Sequence, residues 1–460
     1  MKFKNFLLIQ PMHEKADRKE RSSFNFPWGI AYLSSYIKAV GCNVQFLDGQ
    51  VLQLPKEELA ACLDRYDADI IGISAFSTQY NAVRYLSKYI KEKRDIPVVV
   101  GGPLATYQPR LVLETTNVDI CVIGEGEFAV VELLNNYDNL EKVAGVAFKK
   151  DANIVVTQPQ KNLVNLDELL EPDFDIFDME KYLSQHNAYA RKELVGKSIM
   201  FITSRGCPYN CNFCSKSSRY YRSLSPKQIF KMLKSLKDRF GINEVSFGDE
   251  LFLISKKKFQ EIAPKLETLN IRWGAQARIN LMDKEFLAMI KRAGCIGIGY
   301  GIESGSQKIL NNMNKQITVE QIETVMNQTK RLKIPVKVQL IFGYPGEDET
   351  TIQDTIDLFR RIDHPGRRFN VIVPLPGSSL YSYCIREGLI KNEPEYLCAI
   401  EKSFGIGKVH VNFTQWPDDE IYPRKYAAEE AMKNNYRNNS RLRKLKYFIG
   451  GLKRASGEHS

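Results

Sequence analysis

Ile199-Met200-Phe201-Ile202-Thr203, followed at once by Ser204-Arg205-Gly206-Cys207-Pro208-Tyr209-Asn210-Cys211-Asn212-Phe213-Cys214, is the stretch from which the fold is read. The apolar run reads as a buried strand, and the polar segment after it as a loop at that strand's C-terminal end, where α/β active sites form. Three cysteines separated by three and two residues can wrap one metal centre. A structural zinc ion takes four ligands, and so does an iron–sulfur cube. No fourth ligand lies nearby: His186 is 21 residues upstream of Cys207, and Cys295 is 81 downstream of Cys214, inside an expected strand. Three protein ligands would leave one position open to a substrate or cofactor. Zinc with a remote fourth ligand and three unmetallated thiols remain alternative readings.

Outward from this loop the chain alternates. Downstream, strands are expected near 199–203, 243–247, 271–276, 296–302, 335–342 and 369–373, with helices near 226–239, 256–268, 283–293, 318–332 and 348–362. Six strands without a reversal signal predict a partly closed α/β barrel. Upstream, five β-rich runs (6–9, 43–48, 70–74, 98–100, 118–123) separated by helical patterns predict a doubly wound parallel sheet, then a hairpin over 143–157. Segment 158–195 is mixed and acidic and reads as a linker. The expected division is 1–140, a Rossmann-like domain; 141–195, hairpin and linker; 196–375, a partial (β/α)6 barrel; and 376–460, a helical C-terminal region.

The 460 residues carry a net charge of +11, of which +8 falls in 424–454. That distribution argues against a nucleic-acid coat over the whole chain. Nine dispersed cysteines do not form a disulfide framework. The first residues hold an apolar run of only four, Phe6 to Ile9, too short for a signal-peptide core, and no stretch approaches a membrane span. A cytosolic, reduced, globular protein is expected.

In its strand-end context, the Cys207/Cys211/Cys214 motif resembles that of the radical S-adenosylmethionine (SAM) enzymes, and Phe213 matches the family's aromatic before the last cysteine. The resemblance implies that the three cysteines hold a 4Fe-4S cluster whose open iron chelates the methionine amino and carboxylate groups of SAM. One electron then cleaves SAM to a 5′-deoxyadenosyl radical. Further segments are similar in register. Gly248-Asp249-Glu250 ends the second strand where the family carries a Gly-Gly-Glu-like segment at the SAM amino group; the two acids stay equal candidates. Arg278 follows the third strand, placed to reach the SAM carboxylate. Glu303 and Ser304, in Gly299-Tyr300-Gly301-Ile302-Glu303-Ser304-Gly305, resemble the segment at SAM's ribose or methionine. Gly343 and Pro345 lie near the adenine in relatives. Each alone is more readily structural; five in register are not.

In the first half, Gly101-Gly102-Pro103 and Gly124-Glu125-Gly126-Glu127 are tight turns after strands, where missing Cβ atoms admit a cofactor. With Pro27–Leu33 and Leu47-Asp48 they resemble the cobalamin-binding domain of cobalamin-dependent radical SAM enzymes, over roughly residues 3–390. Ser74 and the residues to Tyr80 would then lie against the lower corrin face. The chain lacks the Asp-x-His-x-x-Gly motif of mutase-type domains. Its histidines are 13, 186, 364, 410 and 459, none expected at a strand end of this domain; His13 reads as an exposed loop residue. Cobalt is therefore expected to lack a histidine ligand.

The resemblance implies methylation of an unactivated carbon in a small-molecule or lipid-like substrate, with a flavodoxin- or ferredoxin-type electron donor. One SAM would remethylate cobalt and a second would yield the radical. Cyclisation or rearrangement uses the same domains. A methylthiotransferase acting on RNA would need three more clustered cysteines, and Cys42, Cys62 and Cys121 lie in or beside different elements. A non-enzymatic metal-binding module is the remaining alternative. Singly placed Cys295, Cys384 and Cys398 read as packed thiols, and Tyr381 and Tyr383 as candidates for the barrel mouth. From Lys433 to Arg454 there are eight basic residues and no acid, interleaved with apolar ones. Such a helix suits packing on the barrel, peripheral contact with an anionic membrane, or nucleic acid.

Overall fold

The computed structural model describes residues 2–13, 25–160, 165–183, 196–216, 218, 220–366, 368–404 and 407–455, with side chains as far as 439. Strands written almost wholly in Val, Ile and Leu need cover on both faces, which a parallel sheet between helix layers provides. β1 (Asn5–Gln10), β2 (Asn43–Asp48), β3 (Ile70–Ser74), β4 (Val98–Gly101) and β5 (Ile120–Val122) are parallel, in spatial order 2-1-3-4-5. The order reverses between β1 and β3, so a crevice opens outside their C-terminal ends. The hairpin β6 (Val146–Lys150) and β7 (Asn153–Val156) runs antiparallel on β5 and extends this sheet to seven strands. Just before β5, Asp119 donates its N–H to Val98 O at 2.9 Å, and its carboxylate accepts from the Val98 N–H at 2.7 Å.

β8 (Lys197–Phe201) begins the second half, and a two-stranded antiparallel ribbon, β9 (Ser204–Arg205) and β10 (Arg222–Ser223), follows it. β11 (Ile242–Phe247), β12 (Arg272–Ala277), β13 (Cys295–Glu303), β14 (Val336–Phe342) and β15 (Phe369–Val371) complete a six-stranded parallel sheet in order 8-11-12-13-14-15. Sequential neighbours joined through helices curl toward a barrel, and β8 and β15 remain its edges. The helix ends are written locally. Ser225 caps Pro226–Phe240 and left-handed Gly241 ends it; Thr318 and Gln321 form a capping box on Val319–Arg331.

The two halves share one continuous core. The acidic stretch 158–195 contributes to it: Leu166, Phe174, Met179, Tyr182 and Leu183 are buried. Phe26 meets Phe174, Phe177 and Tyr182 at 4.7–5.5 Å, and Trp28 Nε1 donates to Met200 O at 2.7 Å. After β15 come helices Ser379–Arg386, Glu393–Ser403 and Asp418–Ala455. The second crosses back to the first half, where Glu401 accepts from the Asn81 and Ala82 N–H groups that open helix Tyr80–Lys93. The long third helix packs on Glu349–Arg361 through Ile421, Ala428 and Met432. Side chains of the basic stretch from 440 onward, with His186 and His459, lie outside the described residues. Among the described residues no helix is long and apolar enough to cross a membrane.

Candidate functional site

Loop 206–221 springs from the ribbon and is held from several sides. Asn212 N–H donates to Met313 O at 3.0 Å, Leu380 N–H to Asn212 O at 2.9 Å, and Ser215 Oγ to Pro376 O at 2.7 Å. These bonds hold the loop through groups other than the three thiols. Cys207, Cys211 and Cys214 are half-buried on it, with Cys214 N–H turned onto Cys211 O at 3.2 Å. Burial, reinforced by Glu250 and the other two cysteines, pushes the Cys214 thiol up to about 12. Burial also raises Cys207, again with Glu250 contributing. Burial thus disfavours the thiolates of Cys207 and Cys214; a bound cation reverses this, since metal coordination deprotonates thiols outright. The donor set is three thiols carried on one loop, and a structural zinc ion takes four protein ligands. A cube presents iron at separate corners and accepts spread thiolates, whereas zinc needs convergence on a point. The donor set therefore fits a cluster.

The other strand-end residues surround this loop. Arg278 is buried with its guanidinium 3.7 Å from the Tyr209 ring centre, Nη1 3.5 Å from Cys211 Sγ and Nε bonded to Asn280. Its Nη2 is buried without a partner among the described residues, a cation aimed beside the cysteines and awaiting an acceptor. The two adjacent acids separate. Asp249 accepts from Thr203 N–H at 2.9 Å, Thr203 Oγ1 at 3.0 Å and Ser204 Oγ, and burial pushes it up to about 6. Glu250 lies toward Cys207 and Cys214, whose ionisation it opposes. Gly248 packs against Met200. Glu303 sits at φ +66 at the end of β13, buried, and its Oε1 pairs with Lys315 Nζ at 2.7 Å. Gly301 makes room for that pair, since a Cβ there would stand 2.5 Å from Glu303 Oε1. The buried Ser304 hydroxyl lies 3.4 Å from Thr355 Oγ1 and accepts from Ser306 N–H. Gly343, at φ +79, donates its N–H to buried Glu347, and Pro345 O accepts from Asn312.

In the first half a cavity of about 320 Å³ occupies the crevice. Its walls include Phe6 and Leu8 of β1, Ser74, the turns Gly101-Gly102-Pro103 and Gly124–Glu127, and, from the second half, Thr203, Ser204, Arg205 and Lys216. A Cβ on Gly101 or Gly124 would meet nothing within 4 Å, so both turns offer bare backbone to a ligand. Gly102 has a different reason: at φ +83, a Cβ there would stand 2.8 Å from Ala75 O. Open glycine backbone and apolar walls fit a large flat cofactor. The two acids of the second turn do not stand free toward it. Arg205 Nη1 lies 2.9 Å from Glu125 Oε2, its Nη2 bonds Glu127, and Arg222 bonds Glu125.

His13 departs from its expectation. It stands three residues past β1, half-buried rather than exposed, its ring 5.5 Å from Phe76 and Nδ1 3.3 Å from Thr78 Oγ1. Burial lowers it to about 4, so it is neutral. It does not line the cavity, whose described walls hold no His, Cys or Met. Tyr381 also differs from its reading: its hydroxyl donates to Glu393 at 2.7 Å and accepts from Gln108 at 3.1 Å, packed on the first half. The sequence reading passed over Arg205, Arg222, Tyr107 and Lys315. Two basic residues bracketing a cysteine loop were the available signal for the arginines.

Known proteins share both halves. A B12 binding domain model matches residues 17–134, and a Radical SAM superfamily model matches residues 201–359. An uncharacterised methyltransferase of Pyrococcus horikoshii is 31% identical over 402 residues, 85% of each chain. The anaerobic magnesium-protoporphyrin IX monomethyl ester cyclase of Rubrivivax gelatinosus is 28% identical over 392 residues, 82% of this chain and 69% of that one. Among solved structures, the radical SAM methyltransferase TsrM from Kitasatospora setae, with tryptophan and a SAM analogue bound, superposes with a TM-score of 0.68 at 18% identity. That match covers 84% of this chain and 77% of the other, and shows a shared fold.

Proposed function

This chain belongs to the cobalamin-dependent radical SAM enzymes, and we propose that it methylates an unactivated carbon of a small-molecule or lipid-like substrate. In this reading Cys207, Cys211 and Cys214 hold the 4Fe-4S cluster. Gly248, Glu250, Arg278, Glu303, Ser304, Gly343 and Pro345 hold SAM. Ser74, Gly101, Gly102, Pro103, Gly124 and Gly126 cradle the cobalamin. When bound, these groups supply one-electron cleavage of SAM and a transferable methyl group. The chain's own part is orientation and exclusion of water. Arg278, stacked on Tyr209, offers Nη2 to a carboxylate. Phe6, Leu8, Trp28, Val99 and Val130 wall the chamber with hydrocarbon, which protects reactive species from solvent.

One observation carries the reading: Thr203, Ser204, Arg205 and Lys216, which flank the cysteines, are also walls of the glycine-lined cavity. A cavity that shares wall residues with the base of the cysteine loop suits transfer between the two sites. The cyclase relative supports a second reading, ring closure with the same cofactors. Anaerobically reconstituted protein should carry about four iron, four sulfide and one cobalamin per chain. Incubated with methyl-labelled SAM and dithionite, a methyltransferase passes label to cobalamin and then to substrate. A cyclase yields 5′-deoxyadenosine with no label in product, and stoichiometric zinc without iron would remove both readings.

A further inference from the structure

The cysteine loop is tied to both glycine turns of the first half. At its base, Arg205 on β9 and Arg222 on β10 form an array with Glu125 and Glu127 of the turn after β5. All four side chains are only 5–19% exposed. Near its other end, Tyr107, on the helix that follows Gly101-Gly102, donates its hydroxyl to Lys216 O. Buried ion pairs are poor glue, because desolvation offsets most of the attraction. Forked guanidinium–carboxylate contacts instead fix register and orientation between the surfaces they join. Here the surfaces are the wall of one cofactor cavity and the base of another cofactor's ligand loop.

We propose that the Arg205–Glu125–Glu127–Arg222 array couples the two sites, so that occupancy of the cavity tightens the hold of the cysteine loop on its cluster, and the reverse. The proposal rests on the reading that the cavity takes cobalamin and the loop an iron–sulfur cluster. Arg205 and Arg222 are positioning residues in it. A ligand against Gly124 fixes the Gly124–Glu127 turn; the turn fixes both arginines; and they set the ribbon from which all three cysteines hang. Such coupling is reciprocal by thermodynamic necessity.

The test is a hydroxocobalamin titration of the full chain, cluster-reconstituted and iron-free, followed by absorbance under anaerobic conditions. Wild type should bind at least about fivefold more tightly with the cluster present, the lower end of ordinary coupling. In Arg222→Met and Arg222→Gln, at a position that is not among the described cavity walls, that ratio should fall toward one while iron-free affinity stays within about twofold. Wild type supplies a second measurement that needs no variant: saturating cobalamin should slow iron loss to a chelator. A ratio near one in wild type, or a ratio the variants leave intact, overturns the coupling. Failure of hydroxocobalamin to bind either form overturns the functional reading itself, and is distinguishable from both.

Discussion

Removing the ammonium of Lys315 should cost the fold several kcal/mol, and removing its partner as well should restore most of it. The pair is closed off from water: Lys315 Nζ lies 2.7 Å from Glu303 Oε1, each side chain 8% exposed. Glu303 sits in the left-handed region at φ +66, a conformation that persists only where its surroundings hold it. Lys315→Met leaves that carboxylate buried and uncompensated, a loss of about 3–5 kcal/mol. Lys315→Met/Glu303→Gln leaves no charge, and pairs replaced by neutral groups of similar size are close to neutral, within about 1 kcal/mol. The double-mutant cycle should therefore show a coupling of at least about 2 kcal/mol. Denaturant unfolding of iron-free chain, read by far-ultraviolet circular dichroism, checks this without a cofactor occupying Glu303. A single variant within about 0.5 kcal/mol of wild type, or a double variant as unstable as the single one, would refute the reasoning.

Burial holds folded Glu347 at about 8, above its ordinary 4.5, so the folded chain binds more protons between those values and its stability falls as pH rises through them. Melting at pH 5, 6.5 and 8 should show that decline flattened in Glu347→Gln; an unchanged slope counts against it. Among the described residues no histidine lines the cavity, so cob(II)alamin bound there with its own benzimidazole base displaced should give an electron paramagnetic resonance spectrum without nitrogen splitting. A splitting that disappears in His13→Ala would make His13 the ligand. Met432 is the last fully buried side chain among the described residues, so a chain ending at Asn438 should keep its melting behaviour yet lose sedimentation with anionic liposomes. Equal sedimentation would end the membrane reading of 433–454.

The parallel strands were legible because strands buried on both faces are written as apolar runs, and the helices between them carry their own caps. Ser225, Asp283, Thr318 and Asp348 each accept from the N–H groups of the helix that follows. Pairings over distance were not legible. Glu125 and Glu127 stand beside glycines in a turn, which reads as a cofactor contact; their partners lie 97 and 78 residues away, and nothing local announces them. The acidic stretch 158–195 read as a linker because its charges are conspicuous, and the aromatics Phe174, Phe177 and Tyr182 that wedge it between the halves are interleaved with Asp173, Asp175, Asp178 and Glu180. Tyr381 read as a barrel-mouth residue from its position after β15, and only the fold places its helix against the first half.

Asp249 and Glu250 show where such reading stops. Both acids follow β11, which ends at Phe247, and the sequence leaves them equal candidates. Burial decides. Asp249 turns inward and gathers three donors from Thr203 and Ser204, bracing the exit of β8 that leads into the cysteine loop. Glu250 faces the cysteines, near enough to disfavour thiolate at two of them. Thiolates at Cys207 and Cys214 are favoured beside this carboxylate once a cation or a ligand ammonium group stands between it and the sulfurs. The charge pattern at this strand end is therefore complete only with ligands bound, and the fold prepays part of that assembly by bracing the loop from behind through Asp249.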